Sequence, residues 1–424
     1  MLETMKKYIL FSLLFPAVVF AQADTLTLSQ CVQIALKHNP QIQMAQGSFE
    51  GSEADLKLSR SALLPQITAQ AAATKNGGTF VFGPIARPGN FDNYSAGFQA
   101  QQLIFDFGKT ITKLSASSDL VKASHQDLRG TDEDVILNTN ITYFNYLQAV
   151  RVRVVDQETV NQAEDHLHQA QAFYKAGTVP QYDVVQGEVV VANANVNLIQ
   201  AANNVKLARI QLENILGVKL PENFVLRDNL EIPQANIDMK TAIETAVENR
   251  PELLSSQARV QASKSLLTSA WTANLPNILA TGGYKWNGAE PQPLYSSWNI
   301  GVTVSLPIFE GWALDAGIDQ AKANLKSAEA SKDLVMQSLL LDIQQQEFAL
   351  QEATQRIEAA KKLVQQANDA LRLAIGRYSS GVGSALETTD AQVALSNARI
   401  TYIQSLYDYR VSYASLERAM GIIK

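Results

Sequence analysis

The chain has 424 residues and 41 acidic against 35 basic side chains, a formal net charge of −6. Its lysines and arginines are dispersed, which leaves no basic face for nucleic acid, and its single cysteine, Cys31, excludes an internal disulfide or a cysteine-built metal or redox centre. Beyond Phe20 no run of 18 or more apolar residues occurs, so any entry into a membrane must be made by strands.

Lys6 and Lys7 precede an apolar run from Tyr8 to Phe20, and Ala21-Gln22-Ala23 places small residues at the two positions a signal peptidase reads. Residues 1–23 therefore read as a cleaved export signal, cut before Asp24 or, alternatively, after Ala21. The run is shorter than the ~20 residues of a membrane helix. Leu28-Ser29-Gln30-Cys31 has the outline of a lipoprotein signal, but Gln30 is not small and Cys31 falls inside an apparent helix. No lipid attachment is expected, and Cys31 reads as a small buried hydrophobe.

The rest of the chain contains one plan twice. "LSQCVQIALKHNPQI" from Leu28 matches "MKTAIETAVENRPEL" from Met239, and Leu64-Pro65-Gln66-Ile67 matches Leu275-Pro276-Asn277-Ile278. Ile104-Phe105-Asp106 matches Ile308-Phe309-Glu310, and Leu212–Gly217 matches Leu416–Gly421. Residues 24–217 form the first repeat, 218–237 a linker and 238–424 the second repeat, a tandem duplication. Within each repeat a variable loop is flanked by two short segments of period two, about 64–75 and 95–105, then about 276–286 and 297–309. Trp298, Ile300, Val302, Val304 and Leu306 alternate with Asn299, Gly301, Thr303 and Ser305, as in a strand with one apolar and one polar face. "KNGGTFVFGPIARPGNFDN" and "NGAEPQPLYSS" lie between the strands and read as loops.

Long helical runs follow. From Thr110 to Ala176 there is no proline and one glycine, Gly130, and no proline follows Pro307. Leu350, Ala353, Ile357, Ala360, Val364, Ala367, Leu371, Ala374 and Tyr378 are spaced three, four, three, four, the seam of a coiled coil. Val160, Ala163, Leu167, Ala170 and Tyr174 repeat it in the first half. "YKAGTVPQYD" and "YSSGVGSALE" interrupt these runs at one interval after the strands, so Gly177 and Gly381 mark the tips, about 177–183 and 381–387, of two equally long helical hairpins. At 1.5 Å per residue each long run extends roughly 100 Å.

Four strands cannot close a barrel, and open edges in lipid cost several kcal/mol per unpaired group, so several chains must share one barrel. Phe98, Tyr284, Trp286, Tyr295 and Trp298 lie on or beside the strands as membrane-interface aromatics. With these features, the paired "ALKHNPQI" and "AVENRPEL", "LLPQI" and "NLPNI", "LIFDFG" and "LPIFEGW" and the two tips, the chain resembles the TolC-like outer-membrane efflux proteins over its whole mature length.

The resemblance implies a mainly α fold with a membrane β-barrel part: a homotrimer with a twelve-stranded barrel in the outer-membrane lipid of a Gram-negative bacterium, continuous with a periplasmic helical tunnel. It implies a passive exit duct for an inner-membrane transporter reached through a periplasmic adaptor. It also implies a gate at the tips, with Asp183, Tyr378, Glu387 and Asp390 at the constriction, and adaptor docking by Gly177, Thr178, Val179, Gly381, Val382 and Ser384. Gly383 stands where the best-known member has a gating arginine. No cofactor, metal or enzyme activity is expected: His166 and His168 point apart on a helix, His38 and His125 are isolated, and no phosphate loop occurs. The rival reading is a soluble periplasmic coiled-coil adaptor, against which stand the two equal hairpins and the two strand pairs.

Overall fold

The computed structural model describes residues 25–82, 85–228 and 238–424, so the expected export signal and the linker from 229 to 237 lie outside the described residues. The duplication appears as paired helices of nearly identical length, while the strands of the first repeat are longer than those of the second. Strand β1 (Thr25–Leu26) leads into α1 (Leu28–His38), α2 (Pro40–Ser61), the hairpin β2 (Gln66–Phe82) and β3 (Ile85–Phe105), α3 (Lys109–Lys175) and α4 (Gln181–Leu216). After β4 (Val225–Leu226) come α5 (Met239–Asn249), α6 (Pro251–Thr272), β5 (Asn277–Gly288), β6 (Tyr295–Ser305), α7 (Ala313–Ser379) and α8 (Ala385–Ala419). Both long helices, α3 and α7, have 67 residues, as equal rods must if they are to end at one level.

The heptad seam is where the helices meet. Leu350, Ala353, Ile357, Ala360, Ala367, Leu371, Ala374 and Tyr378 of α7 are all buried, as are Leu395 and Ala398 of α8. Alternating large and small residues let the hairpin arms approach closely. Where α4 ends, Gly217 takes a left-handed φ of 69°, and a Cβ there would lie 2.5 Å from the carbonyl oxygen of His38. Gly421 closes in the same way on Asn249 and Arg250, which is why the "HNP" and "NRP" segments recur with these glycines.

Near these joints sit the two main cores. One gathers Cys31, Val135, Tyr143, Phe144, Leu212, Leu216 and Tyr407; the other gathers Leu253, Leu339, Ile343, Tyr409 and Leu416. Burial pushes the Cys31 thiol up to about 11, in keeping with an unreactive packing role. Between the cores, Arg418, only 7% exposed, reaches Asp134 at 2.8 Å, Glu133 at 3.2 Å and Glu252. Arg129 bonds Glu133 and the carbonyls of Asn249 and Gly421, so the two repeats are tied by charge at their junction.

Strands β2, β3, β5 and β6 form one antiparallel sheet in that order. The first strand pair is longer than the sequence indicates. Its expected loop continues as paired backbone to Phe82 and Ile85, with Gly77 opposite Asn90 and Thr79 opposite Pro88. Pairing with β5 stops at Tyr94, so Pro88 lies on an open edge where its missing N–H costs no ladder bond. In the described part of the expected linker, β4 pairs in parallel with β1, and the Tyr143 hydroxyl donates to the Arg227 carbonyl at 2.5 Å.

Candidate conduit wall and hairpin tips

Register sorts the sheet into two faces. Ile67, Ala69, Phe98, Tyr284, Trp286, Trp298, Ile300 and Val302 fall on one side, since Ala69 is opposite Phe98, Phe98 opposite Tyr284 and Tyr284 opposite Trp298. Ile300 and Val302 are 81% and 68% exposed, an arrangement suited to lipid and hostile to water. Trp286 packs edge-on against both Phe98 and Tyr284. The opposite side carries Gln70, Gln99, Ser95, Thr281, Asn287 and Asn299, around a hollow of about 490 Å³.

Of the five aromatics expected at the membrane interface, four share the apolar face, whereas Tyr295 pairs with Asn287 and takes the polar side. Its assignment from the sequence lacked a register, and one residue of shift changes the face. A second aromatic group at the strand-to-helix junctions was missed: Phe105 stacks edge-on with Phe107, and Phe309 with Trp312. These residues are 44–71% exposed, and their signal was the paired "LIFDFG" and "LPIFEGW".

At the far end the tips share one backbone design. Gly177 and Gly381 have φ of 74° and 73°, the left-handed region that a β-branched residue resists. Thr178 N–H donates to the Phe173 carbonyl and Gly177 N–H to Tyr174; Val382 and Gly381 do the same to Arg377 and Tyr378. This paired closure satisfies carbonyls that the helix end would otherwise orphan.

The side chains of the tips differ. Ser384 caps α8 by accepting from Glu387 N–H at 3.2 Å, while the residue before α4 is Pro180, with no side-chain cap. Arg377 Nε reaches Glu387 at 3.1 Å, so the charge of Glu387 is matched within its own hairpin. Gly383 explains itself here: a Cβ would stand 2.8 Å from Cβ of Arg377. Arg377 itself lies six residues earlier, in the last turn of α7. Asp390 is exposed, without an ion pair among the described residues.

Tyr378 is 7% exposed and lies 5.8 Å from the Phe173 ring, centre to centre. It and Asp183 line one small cavity between the two hairpins, together with His166, Gly187, Thr388 and Gln392. The Tyr378 hydroxyl is buried without a hydrogen-bond partner among the described residues, and burial followed by the field of Asp183 pushes it above its ordinary range. Asp183 sits at the third helical position of α4, where the helix dipole favours an acid. Val382 is 69% exposed and Thr178 exposed, whereas Val179 is half-buried. Among the described residues no group of three His, Cys, Asp or Glu is placed to hold a metal, and no helix is long and apolar enough to cross a membrane.

The model of the family described as outer membrane efflux protein matches residues 31–218 and 242–422, one span for each repeat. The chain belongs to the outer membrane efflux protein family. It is 25% identical to the outer membrane protein TolC of Escherichia coli, over 95% of this chain and 83% of that one. To the outer membrane protein OprJ of Pseudomonas aeruginosa it is 23% identical, over 93% of this chain and 84% of that one. A crystal structure of a membrane protein from Pseudomonas aeruginosa superposes with a TM-score of 0.83 at 23% identity, covering 93% of both chains. The protein is therefore an outer-membrane efflux channel of the TolC kind, and the adaptor reading is set aside.

Proposed function

We propose that three copies of this chain close one barrel of twelve strands and one helical tunnel, and that the assembly is the passive exit duct of an efflux or secretion system. The observation that carries this reading is the sheet: β2 and β6 end it with unpaired edges while one face is apolar and exposed, a combination that lipid tolerates only in a closed barrel. Mass measurement of the protein in mild detergent is expected to give three copies; a folded monomer inserted in lipid would overturn the reading.

On this reading the tips face an adaptor and, through it, an inner-membrane transporter. Gly177, Thr178, Val179, Gly381, Val382 and Ser384 form the docking surface, all exposed but the half-buried Val179, with Ser384 also capping α8. Replacing Gly177 or Gly381 by valine is expected to impair export more than assembly. Asp183 and Tyr378 seat the hairpins against each other, and Asp390 supplies the uncompensated charge at the constriction, Glu387 being matched by Arg377. Asp390→Asn is expected to lower cation selectivity of the assembled channel; unchanged selectivity would place the constriction elsewhere. Residues 1–23 act as the export signal and 24–217 and 238–424 as the repeats. The mature chain starts at Asp24 without a lipid, which an intact mass would show.

A further inference from the structure

We infer that Lys285 makes the barrel end of the duct an anion-attracting segment, with Lys285 as a selectivity-determining residue; this rests on the duct reading above. Lys285 lies on the polar side of the sheet, in register with Gly97 on one neighbour and Ser297 on the other. Between Gln66 and Thr74, Asn93 and Gln101, Asn277 and Asn287, and Tyr295 and Ser305, every other residue of that face is neutral. Lys285 is exposed and has no ion pair among the described residues, unlike Lys75, which is on the opposite face 3.9 Å from Asp92.

Its surroundings favour a charge free to meet solutes. Gly97 lets the neighbouring strand close tightly beneath the lysine stem, for a Cβ there would come within 2.6 Å of the Tyr284 carbonyl oxygen and 2.8 Å of Lys285 Cβ, and no side chain at that position screens the ammonium. The hollow around it is lined by Gln70, Gln99, Asn93, Asn287 and Asn299, amides that can donate N–H bonds to an anion without adding charge. An ammonium is a compact point charge, and a lumen walled by protein and lipid focuses its field. Closing the barrel from identical chains repeats the lysine around one axis. Halides, sulfate and carboxylate-bearing solutes are thereby concentrated at the barrel, and small cations are depleted.

The test is the reversal potential of the full-length channel in a planar bilayer under a potassium chloride gradient. It is run in the native chain and in the Glu387→Gln, Asp390→Asn background, so that charge at the tips does not mask the barrel. Lys285→Gln is expected to lower the chloride-to-potassium permeability ratio by roughly two- to fivefold, and Lys285→Glu to lower it further. Lys285→Arg should keep the native ratio, which a purely structural role for the side chain would not require. Conductance with an unaltered reversal potential in Lys285→Glu, in both backgrounds, would overturn this inference alone. Membrane-inserted protein that conducts nothing would overturn the duct reading and this inference with it.

Discussion

The two hairpin tips have the same turn and different fastenings. Gly177 and Gly381 share φ within a degree, and their closing hydrogen bonds run between equivalent residues. Yet Tyr378 is buried at 7% exposure while its counterpart Tyr174 is 45% exposed. The second tip also has a serine cap and an arginine strap, and the first has neither. Duplication preserved what the backbone requires, because a left-handed closure is dictated by chain geometry. Side chains diverged where the hairpins meet: Tyr378 packs 5.8 Å from the Phe173 ring, whereas the second repeat has Arg377 in the place of Phe173.

The largest effect that should separate the tips is truncation of these tyrosines. Tyr378→Ala empties a buried site and is expected to destabilise the tip region by about 3 kcal/mol, against less than about 1 kcal/mol for the half-exposed Tyr174→Ala. Hydrogen exchange over α3, α7 and α8 would read both, and equal losses would break the comparison. Next comes the cap: Ser384→Ala should speed exchange in the first turn of α8 by an amount worth about 1 kcal/mol. Pro180→Ala removes no cap and should cost only about 0.5 kcal/mol, through the freer unfolded chain.

The arginine strap is smaller still. Arg377 and Glu387 are 57% and 48% exposed, so Arg377→Ala should cost under about 1 kcal/mol, an effect that fades at high salt. Thermal melting at low and high ionic strength checks it; a large, salt-independent loss would assign Arg377 to packing instead. The smallest expected effect is a pH slope. Burial pushes the His166 imidazole below its ordinary 6.5, against the opposing pull of Asp165 and a hydrogen bond to Gln169, with Asp183 and Tyr378 facing the same cavity. The folded state therefore binds fewer protons than the unfolded one below pH 6.5. Stability of the tips should be level above that pH, fall as pH drops to the folded value, and then level again. His166→Gln should remove the slope in exchange data, and an identical slope in the variant would assign it to another group.

Much of this was legible in the sequence because it is periodic or local. The seam from Leu350 to Tyr378, the turn glycines, the apolar alternation of Trp298 to Val304 and the equal rods each depend on spacing along one segment, which the chain states directly. Likewise, Ser384 before a helix three residues ahead of Glu387 is a local capping signal. What remained hidden joins residues that spacing does not connect. Gly383 looks like a missing arginine until the turn brings Arg377 back beside it. Arg418 meets Glu133 and Glu252 across far-separated parts of the chain, and no periodicity announces such a cluster.

By itself, then, the sequence determined the duplicated plan, the helical rods with their tips and the presence of strands fit for a membrane, because backbone geometry and hydrophobic period act within a few turns of chain. Only the tertiary structure decided which face Tyr295 and Lys285 occupy, how far the first strand pair extends, which tyrosine is buried and where Glu387 finds its counter-charge. Each of these depends on register between strands or packing between hairpins, and the free energy that settles them arises only when distant segments exclude water together.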